Sequence, residues 1–426
     1  TGVVRSNDNV TEETMPSEDK MPINDRFKYL RRAQKQYLKA TRRERSQLLD
    51  HMQHITGLNR KTLIRHMNSK IERKPRKRQR GKTYGPKVDD ALRVISETLD
   101  HICSERITPQ LVPMAKHLAA HGELQISAEL LHKLECISIS TVRRRLRKFA
   151  HLQQWRLPRR QGPRQSNPLT RDIPMKRIPW DEQVPGHFEV DLVHHCGRSS
   201  SGQYVHTVQM IDVATGWSER AAVLGRSQLV MEDAFLRFVA RLPFKVLEIH
   251  PDNGSEFFNH HLLRLWKDIV KGVKISRSRP FHKNDNRFVE QKNATLVRAY
   301  LSDARFDTVE QTRLLNRLYD KMWLYYNFFQ PVLRMTEKIV LSAPGQAYRV
   351  RRLYGPAQTP FQRLCATGVL SAARRQQLEN LRDRTNPRRL HREIYEMLDQ
   401  LFSLPGAKPG TTEDVWLTLT MLPKPR

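Results

Sequence analysis

His250-Pro251-Asp252-Asn253-Gly254-Ser255-Glu256-Phe257 ends an apolar run on a tight acidic turn, and its surroundings set the fold class. Residues 244–250 before it read as a strand, so Asp252 stands just past a strand end. That is the usual place for functional groups in open α/β sheets. Upstream, 188–193 reads as a buried strand and 204–213 as a second, and Ala214-Thr215-Gly216 turns the chain into a third at 217–223. Ser227 caps a helix that turns Val230, Ala234, Phe238 and Val239 inward. Downstream come a helix through Leu262, Leu263, Leu265, Trp266 and Ile269, a short strand through Val273 and Ile275, and a polar loop at 279–287. A long helix then carries Val289, Leu296, Val297, Tyr300 and Leu301. Three strands followed by alternating helix and strand make an α/β domain.

Three carboxylates stand where such a sheet could gather them. Asp191 interrupts the apolar run Val190-Asp191-Leu192-Val193, where an unpaired charge is costly. Asp252 follows a strand, and Glu290 begins a helix. Brought to 4 Å at an effective dielectric near 20, each pair would repel by about 4 kcal/mol. A divalent cation removes that repulsion, and carboxylate oxygens suit Mg²⁺. Two such ions can activate the attacking oxygen and stabilise the leaving oxygen of a phosphodiester displacement. Glu189 shares a strand face with Asp191, with a salt bridge at the rim as the alternative to metal binding. Asp212, near a turn, reads as structural, and Glu256 as a cap of the following helix. His194-His195-Cys196 is a poor zinc site, because adjacent strand residues face opposite ways and no fourth ligand is suitably spaced.

The stretch 250–257, together with Asn286-Arg287-Phe288-Val289-Glu290-Gln291-Lys292-Asn293 and Asp191 upstream, resembles the core of DDE transposases with a retroviral-integrase-like domain, of the bacterial insertion-sequence type. Tyr326-Asn327 and Pro331 resemble the tail of that core. The resemblance spans about 180–345 and implies an RNase H-like fold in which Asp191, Asp252 and Glu290 are catalytic and bind two Mg²⁺ (or Mn²⁺) ions. It implies water-driven cleavage of the 3′ ends of a mobile element at its terminal inverted repeats. The freed 3′-OH then joins target DNA.

The rest of the chain fits a DNA partner. Its 426 residues hold 75 Lys and Arg against 44 Asp and Glu, a formal charge of +31 suited to a polyphosphate partner. In order, the chain reads as a disordered start (1–23), a helix-turn-helix (24–69), a basic linker (70–85) and a second helix-turn-helix (86–150). A Pro/Arg-rich linker (151–183), the α/β core (184–306) and a mostly helical basic C-terminal region (307–426) follow. Arg60, Lys61 and Arg65 mark the first recognition helix, introduced by the Thr41–Glu44 capping box and the Asn59 cap. Arg143, Arg144, Arg145, Arg147 and Lys148 mark the second, at 139–149. Arg73, Lys74, Arg76, Lys77, Arg78 and Arg80 are placed to follow the phosphate backbone between them. Lys292 and Arg298, on the helix of Glu290, are either contacts to the DNA end or a solvated face. The expected partners are double-stranded DNA and further copies of the chain, as a dimer or tetramer on DNA; an ATPase helper is compatible with this reading.

Four scattered cysteines without a CxxC pair argue against a disulfide scaffold, and no apolar stretch reaches the ~20 residues of a membrane span. A cytoplasmic, nucleoid-associated protein is expected. Two other functions stay in view: a DNA-binding transcription regulator with a silent core, and a nuclease that hydrolyses without joining.

Overall fold

The computed structural model describes residues 21–72, 83–149, 182–251, 272–276, 287–341, 349–408 and 410–421, in two units that divide after Thr83. In the first unit, α1 (Ile23–Lys39), α2 (Arg42–Thr56) and α3 (Arg60–Met67) close on Leu30, Tyr37, Leu49, Met52, Leu63 and Met67. The sequence punctuation explains where the helices start and stop. The Thr41 N–H donates to Glu44 Oε2 at 2.8 Å, Gly57 ends α2 in the left-handed conformation at φ 64°, and Asn59 Oδ1 accepts the Lys61 N–H at 3.0 Å. The Gln34 amide, from α1, satisfies the carbonyls of His66 and Met67 in the last turn of α3 and of Ser69 just past it.

The second unit begins with α4 (Pro86–Thr98), α5 (Ser104–Ile107), α6 (Leu111–Ala120), α7 (Ala128–Cys136) and α8 (Ile139–Phe149). Buried Ile137 and Val142 lie either side of the α8 cap, where Ser138 Oγ accepts the Thr141 N–H. These helices share one apolar core with the sheet and the C-terminal helices. Polar ties cross between the segments: Arg106 donates to the Pro331 carbonyl at 2.6 Å, and Gln110 to that of Ala357 at 3.0 Å. Tyr300 and Tyr395 both donate to the Asp100 carboxylate.

Strands β1 (His187–His194), β2 (Val205–Asp212), β3 (Ser218–Leu224), β4 (Glu248–Pro251) and β5 (Lys274–Ile275) form a mixed sheet in the order β3-β2-β1-β4-β5. The first three are antiparallel neighbours, and β4 and β5 run parallel to β1. Helix α9 (Gln228–Arg241) makes the crossover to β4. Helix and sheet are mixed here, as the sequence leads one to expect. Asp191, Gln209 and Arg220 lie side by side across β1, β2 and β3 and therefore on one face. Asp212 holds the β2–β3 turn, accepting from the N–H of Gly186 and from the N–H and hydroxyl of Thr215.

The helix that carries Glu290 starts as α10 (Arg287–Lys292) and runs on through a π-helical turn (Asn293–Arg298) into Ala299–Leu301. Helix α11 (Val309–Leu324) and the π-helical Tyr325–Phe329 then line the outer edge of the sheet. Asn316 pairs with both the N–H and the carbonyl of Ala222, and Asn327 with both of Ser218. Two side-chain amides thereby take the place of a sixth strand along an otherwise open edge. The aromatic residues of this region are core, as their type suggests: Tyr325, Tyr326, Phe328 and Phe329 are all buried.

The C-terminal region is not wholly helical. Arg349, Arg351 and Arg352, read from sequence as a connector, lie in β7 (Arg349–Tyr354), paired antiparallel with β6 (Met335–Leu341). Past this ribbon come α12 (Pro360–Ala366), α13 (Ala372–Arg384) and the amphipathic α14 (Pro387–Ser403). Among the described residues no helix is long and apolar enough to cross a membrane.

One buried charge should dominate the stability of this scaffold. Glu219 accepts from the indoles of Trp217 (2.9 Å) and Trp323 (2.7 Å) and pairs with Arg241 at 2.5 Å. Glu219→Ala leaves the Arg241 charge without this partner and two indole donors without acceptors. A loss of about 3–5 kcal/mol is expected, read by denaturant unfolding.

Candidate active site

Strand β1 and helix α10 are tied at two points. Glu189 is buried, and its Oε2 accepts the N–H groups of Phe288 (2.7 Å) and Val289 (2.9 Å) at the start of α10. Two residues along the strand, on the same face, Asp191 Oδ2 accepts from the Asn293 amide at 2.5 Å. The lengths match: two strand residues advance about 6.6 Å, and four to five helical residues about 6–7.5 Å. Glu290 lies between the anchors, three residues before Asn293 and thus on the same helix face. The other Asp191 oxygen accepts the Leu192 N–H at 2.8 Å. A half-buried aspartate and a half-buried glutamate are thereby held on neighbouring elements.

Glu189 is therefore not at the rim. Its charge faces the first N–H groups of a helix, where a carboxylate is most stabilising. It positions the helix of Glu290.

The third carboxylate of the expected set, Asp252, falls outside the described residues, as do Asn253 to Phe257 with Glu256. Also outside them are the segment of Leu262–Ile269 and the loop at 279–286. The last residue of β4, Pro251, pairs with Val190, the neighbour of Asp191. Asp252 follows it directly in the chain. Among the described residues no three acidic, histidine or cysteine side chains gather into a metal site, so the expected set needs Asp252. The donors available, carboxylate oxygens beside an amide, are those that Mg²⁺ and Mn²⁺ take. His195 is turned inward onto Thr207 Oγ1 at 2.8 Å, and burial pushes its ring down to about 3.

Cations crowd the same face. Arg220 is buried on β3, with its guanidinium over the rings of Tyr326 (5.0 Å) and Tyr319 (5.8 Å). Among the described residues none of its guanidinium nitrogens has a hydrogen-bond partner, nor has either amide atom of Gln209 beside it. Lys292, half-buried two residues after Glu290, is pushed down to about 7, first by burial and then by Arg106, Arg220, Arg334 and Arg363. This positive surround offsets the carboxylates and favours an anionic substrate. Arg298 is on the surface, bonded to Asp303 at 3.1 Å.

The remaining DNA-contact candidates divide by their partners. On α3, Lys61 and Arg65 are exposed, whereas Arg60 is bound to Asp50 and to Ser46 Oγ. On α8, Arg143 is bound to Glu105. Arg145 is bound to Asp89 and the Tyr84 carbonyl and lies over the Tyr84 ring. Arg144, Arg147 and Lys148 are exposed. Arg73, Lys74, Arg76, Lys77, Arg78 and Arg80, and nearly all of the 151–183 linker, lie outside the described residues.

Sequence reasoning quoted Asn293 only as the end of the 286–293 stretch, without a role, and missed Arg220. Asn293 was detectable from its i,i+3 spacing to Glu290. Arg220, a charge leading into Ala221-Ala222-Val223, carries the same anomaly that singled out Asp191.

Comparison with known proteins gives little by name. No family model matches the chain. The uncharacterized protein y4rM of Sinorhizobium fredii (strain NBRC 101917 / NGR234) is 34% identical over 328 residues, covering 77% of this chain and 91% of its own length. Among solved structures, the catalytic core domain of BIV integrase aligns at 17% identity over 34% of this chain and 85% of its own. Its TM-score of 0.26 is too low to bear on fold or activity.

Proposed function

We propose that this chain, which belongs to the family of the Sinorhizobium fredii protein y4rM, is a transposase. In this reading it binds the terminal inverted repeats of a mobile element, cleaves the element's 3′ ends and joins them to target DNA. The observation that carries the proposal is the double tie between β1 and α10. It sets Asp191 and Glu290 on adjoining elements, beside the strand that leads into Asp252. Asp191, Asp252 and Glu290 would hold two Mg²⁺ or Mn²⁺ ions. When bound, these supply Lewis-acid activation of the attacking oxygen and stabilise the leaving oxygen.

The chain's own groups do the rest. Glu189 and Asn293 fix the two described carboxylates before DNA arrives, so little reorganisation is left for the reaction itself. Lys292 and the arginines around it attract the phosphodiester and balance the charge it brings. The test is incubation of the chain with a duplex taken from the DNA flanking its gene, in Mg²⁺ and in EDTA. Metal-dependent nicks at an inverted-repeat end support the reading; a chain that binds the duplex without cutting it points to a DNA-binding regulator. Joining requires two ends in one event, so the active form in this proposal is a dimer or tetramer on DNA.

The helix α8 divides its arginines between fold and ligand. Arg145→Ala should lower stability by about 1.5–3 kcal/mol, because its ion pair with Asp89 is largely shielded, and change DNA affinity little. Arg144→Ala should leave the melting temperature unchanged and weaken binding to an element end by about 1–3 kcal/mol where it reads a guanine. Paired melting curves and gel shifts separate the two; an equal loss of DNA affinity in both variants would make α8 a simple electrostatic clamp.

A further inference from the structure

The antiparallel ribbon of β6 and β7 pairs with no third strand among the described residues. Two-stranded ribbons are at best marginally stable in water, and this one is ill suited to stand alone. The register sets Lys338 opposite Arg352, Ile339 opposite Arg351 and Leu341 opposite Arg349. Arg351 and Arg352 are exposed, with no ion-pair or hydrogen-bond partner among the described residues, and Tyr354 is 54% exposed. Two exposed guanidiniums side by side on a bare ribbon suit a polyanion.

Its root fixes where that anion would lie. Arg334, the residue before β6, donates to the Val213 carbonyl, and its guanidinium lies 5.1 Å from the centre of the Phe288 ring. Phe288 is one of the two residues whose N–H groups Glu189 holds, two positions before Glu290. The Gly355 N–H, just past β7, closes this same end of the ribbon on the Arg334 carbonyl at 3.0 Å. The ribbon therefore springs from the start of the helix that carries Glu290.

We propose that the β6–β7 ribbon is a duplex-DNA contact that holds the double helix beside the carboxylate site. A two-stranded ribbon fits the major groove, which is ~12 Å wide. A seven-residue strand such as β6 spans roughly 23 Å, long enough to meet phosphates on both sides of the groove. The alternative use of charge on a bare ribbon is to keep its edges from pairing with other chains. That use needs no phosphate and leaves DNA affinity independent of Arg351 and Arg352.

The proposal rests on the reading of the chain as a DNA-processing enzyme, and the experiment separates the two. Binding of the full chain to a mixed-sequence duplex is followed by fluorescence anisotropy across a salt series. The chains compared are wild type, Arg351→Ala/Arg352→Ala, Arg351→Lys/Arg352→Lys, and the surface control Arg317→Ala/Arg392→Ala. Each lost phosphate contact removes ~0.9 from the salt slope, so the ribbon alanines should make it shallower by about 1.8 and weaken binding roughly 50-fold at 0.1 M salt. The lysine pair should keep the wild-type slope, and melting temperatures should not move. Steep wild-type binding that the ribbon alanines leave unchanged overturns the ribbon proposal alone. So does an equal loss from the control pair. A wild-type chain without affinity for duplex DNA overturns the DNA-processing reading and the ribbon with it.

Discussion

Asp191→Asn and Glu290→Gln should each abolish DNA cleavage and joining, by on the order of 10³-fold or more, while DNA binding survives. Each substitution keeps the size of the side chain and removes one negative charge. In Asp191→Asn the new side chain still offers an oxygen to the Asn293 amide, so the tie between β1 and α10 should hold and the melting temperature change little. A divalent-ion site built from carboxylates cannot spare that charge. Groups that act as one unit lose nearly everything when a single member goes. DNA affinity should stay level or rise, since each change makes the site more positive. Nicking of an end-containing duplex in Mg²⁺, measured beside gel-shift affinity, checks the pair. Substantial cleavage by Glu290→Gln would remove Glu290 from the set and make Glu256 the next carboxylate to test.

Glu189 should behave in the opposite way to a metal ligand. Glu189→Ala strips acceptors from the N–H groups of Phe288 and Val289 in a largely buried place. Unmet donors of this kind cost about 1–3 kcal/mol each, so a loss of roughly 2–6 kcal/mol is expected. With the start of α10 released, Glu290 loses its position, and cleavage should fall on the order of 10²-fold at unchanged DNA affinity. Glu189→Gln keeps one acceptor oxygen and should restore most of the stability and the activity. Unfolding curves and nicking rates of both variants decide the matter. Equal damage from Gln and Ala, with stability intact in each, would mean that Glu189 works through its charge at the metal site.

The contrast between Glu189 and Asp191 shows how far sequence reading reaches. A carboxylate in an apolar strand is visible as an anomaly, and the period of two puts both on one face. What each touches depends on α10, about a hundred residues away, and no local pattern records that. Among the described residues, the order of strands and helices in the core was legible because each apolar run is bounded by its own turn or cap. Asn59 and the Thr41–Glu44 pair mark helix starts by satisfying backbone N–H groups locally, so they could be read at once. The ribbon was missed for the opposite reason. Arginines outnumber aliphatic residues in 349–354, and the strand is recognisable only against Ile339-Val340-Leu341 across the Pro344-Gly345 turn signal. Asn327 was picked out by resemblance alone; its work, closing the edge of β3 at Ser218, appears only with the sheet in place. Likewise Arg143 and Arg145 look in sequence like any member of a basic helix, and only folding brings Glu105 and Asp89 to them.

The central claim, that Asp191, Asp252 and Glu290 form a metal-dependent site that cuts and joins DNA, is tested most directly by product analysis. The wild-type chain is incubated in Mg²⁺ with a labelled duplex carrying an inverted-repeat end from the DNA flanking its gene, together with plasmid target. The account predicts 3′ ends covalently joined to the plasmid, absent in EDTA and absent from Asp191→Asn. Tight binding of that end with no joined product, or joining that Asp191→Asn retains, would contradict it.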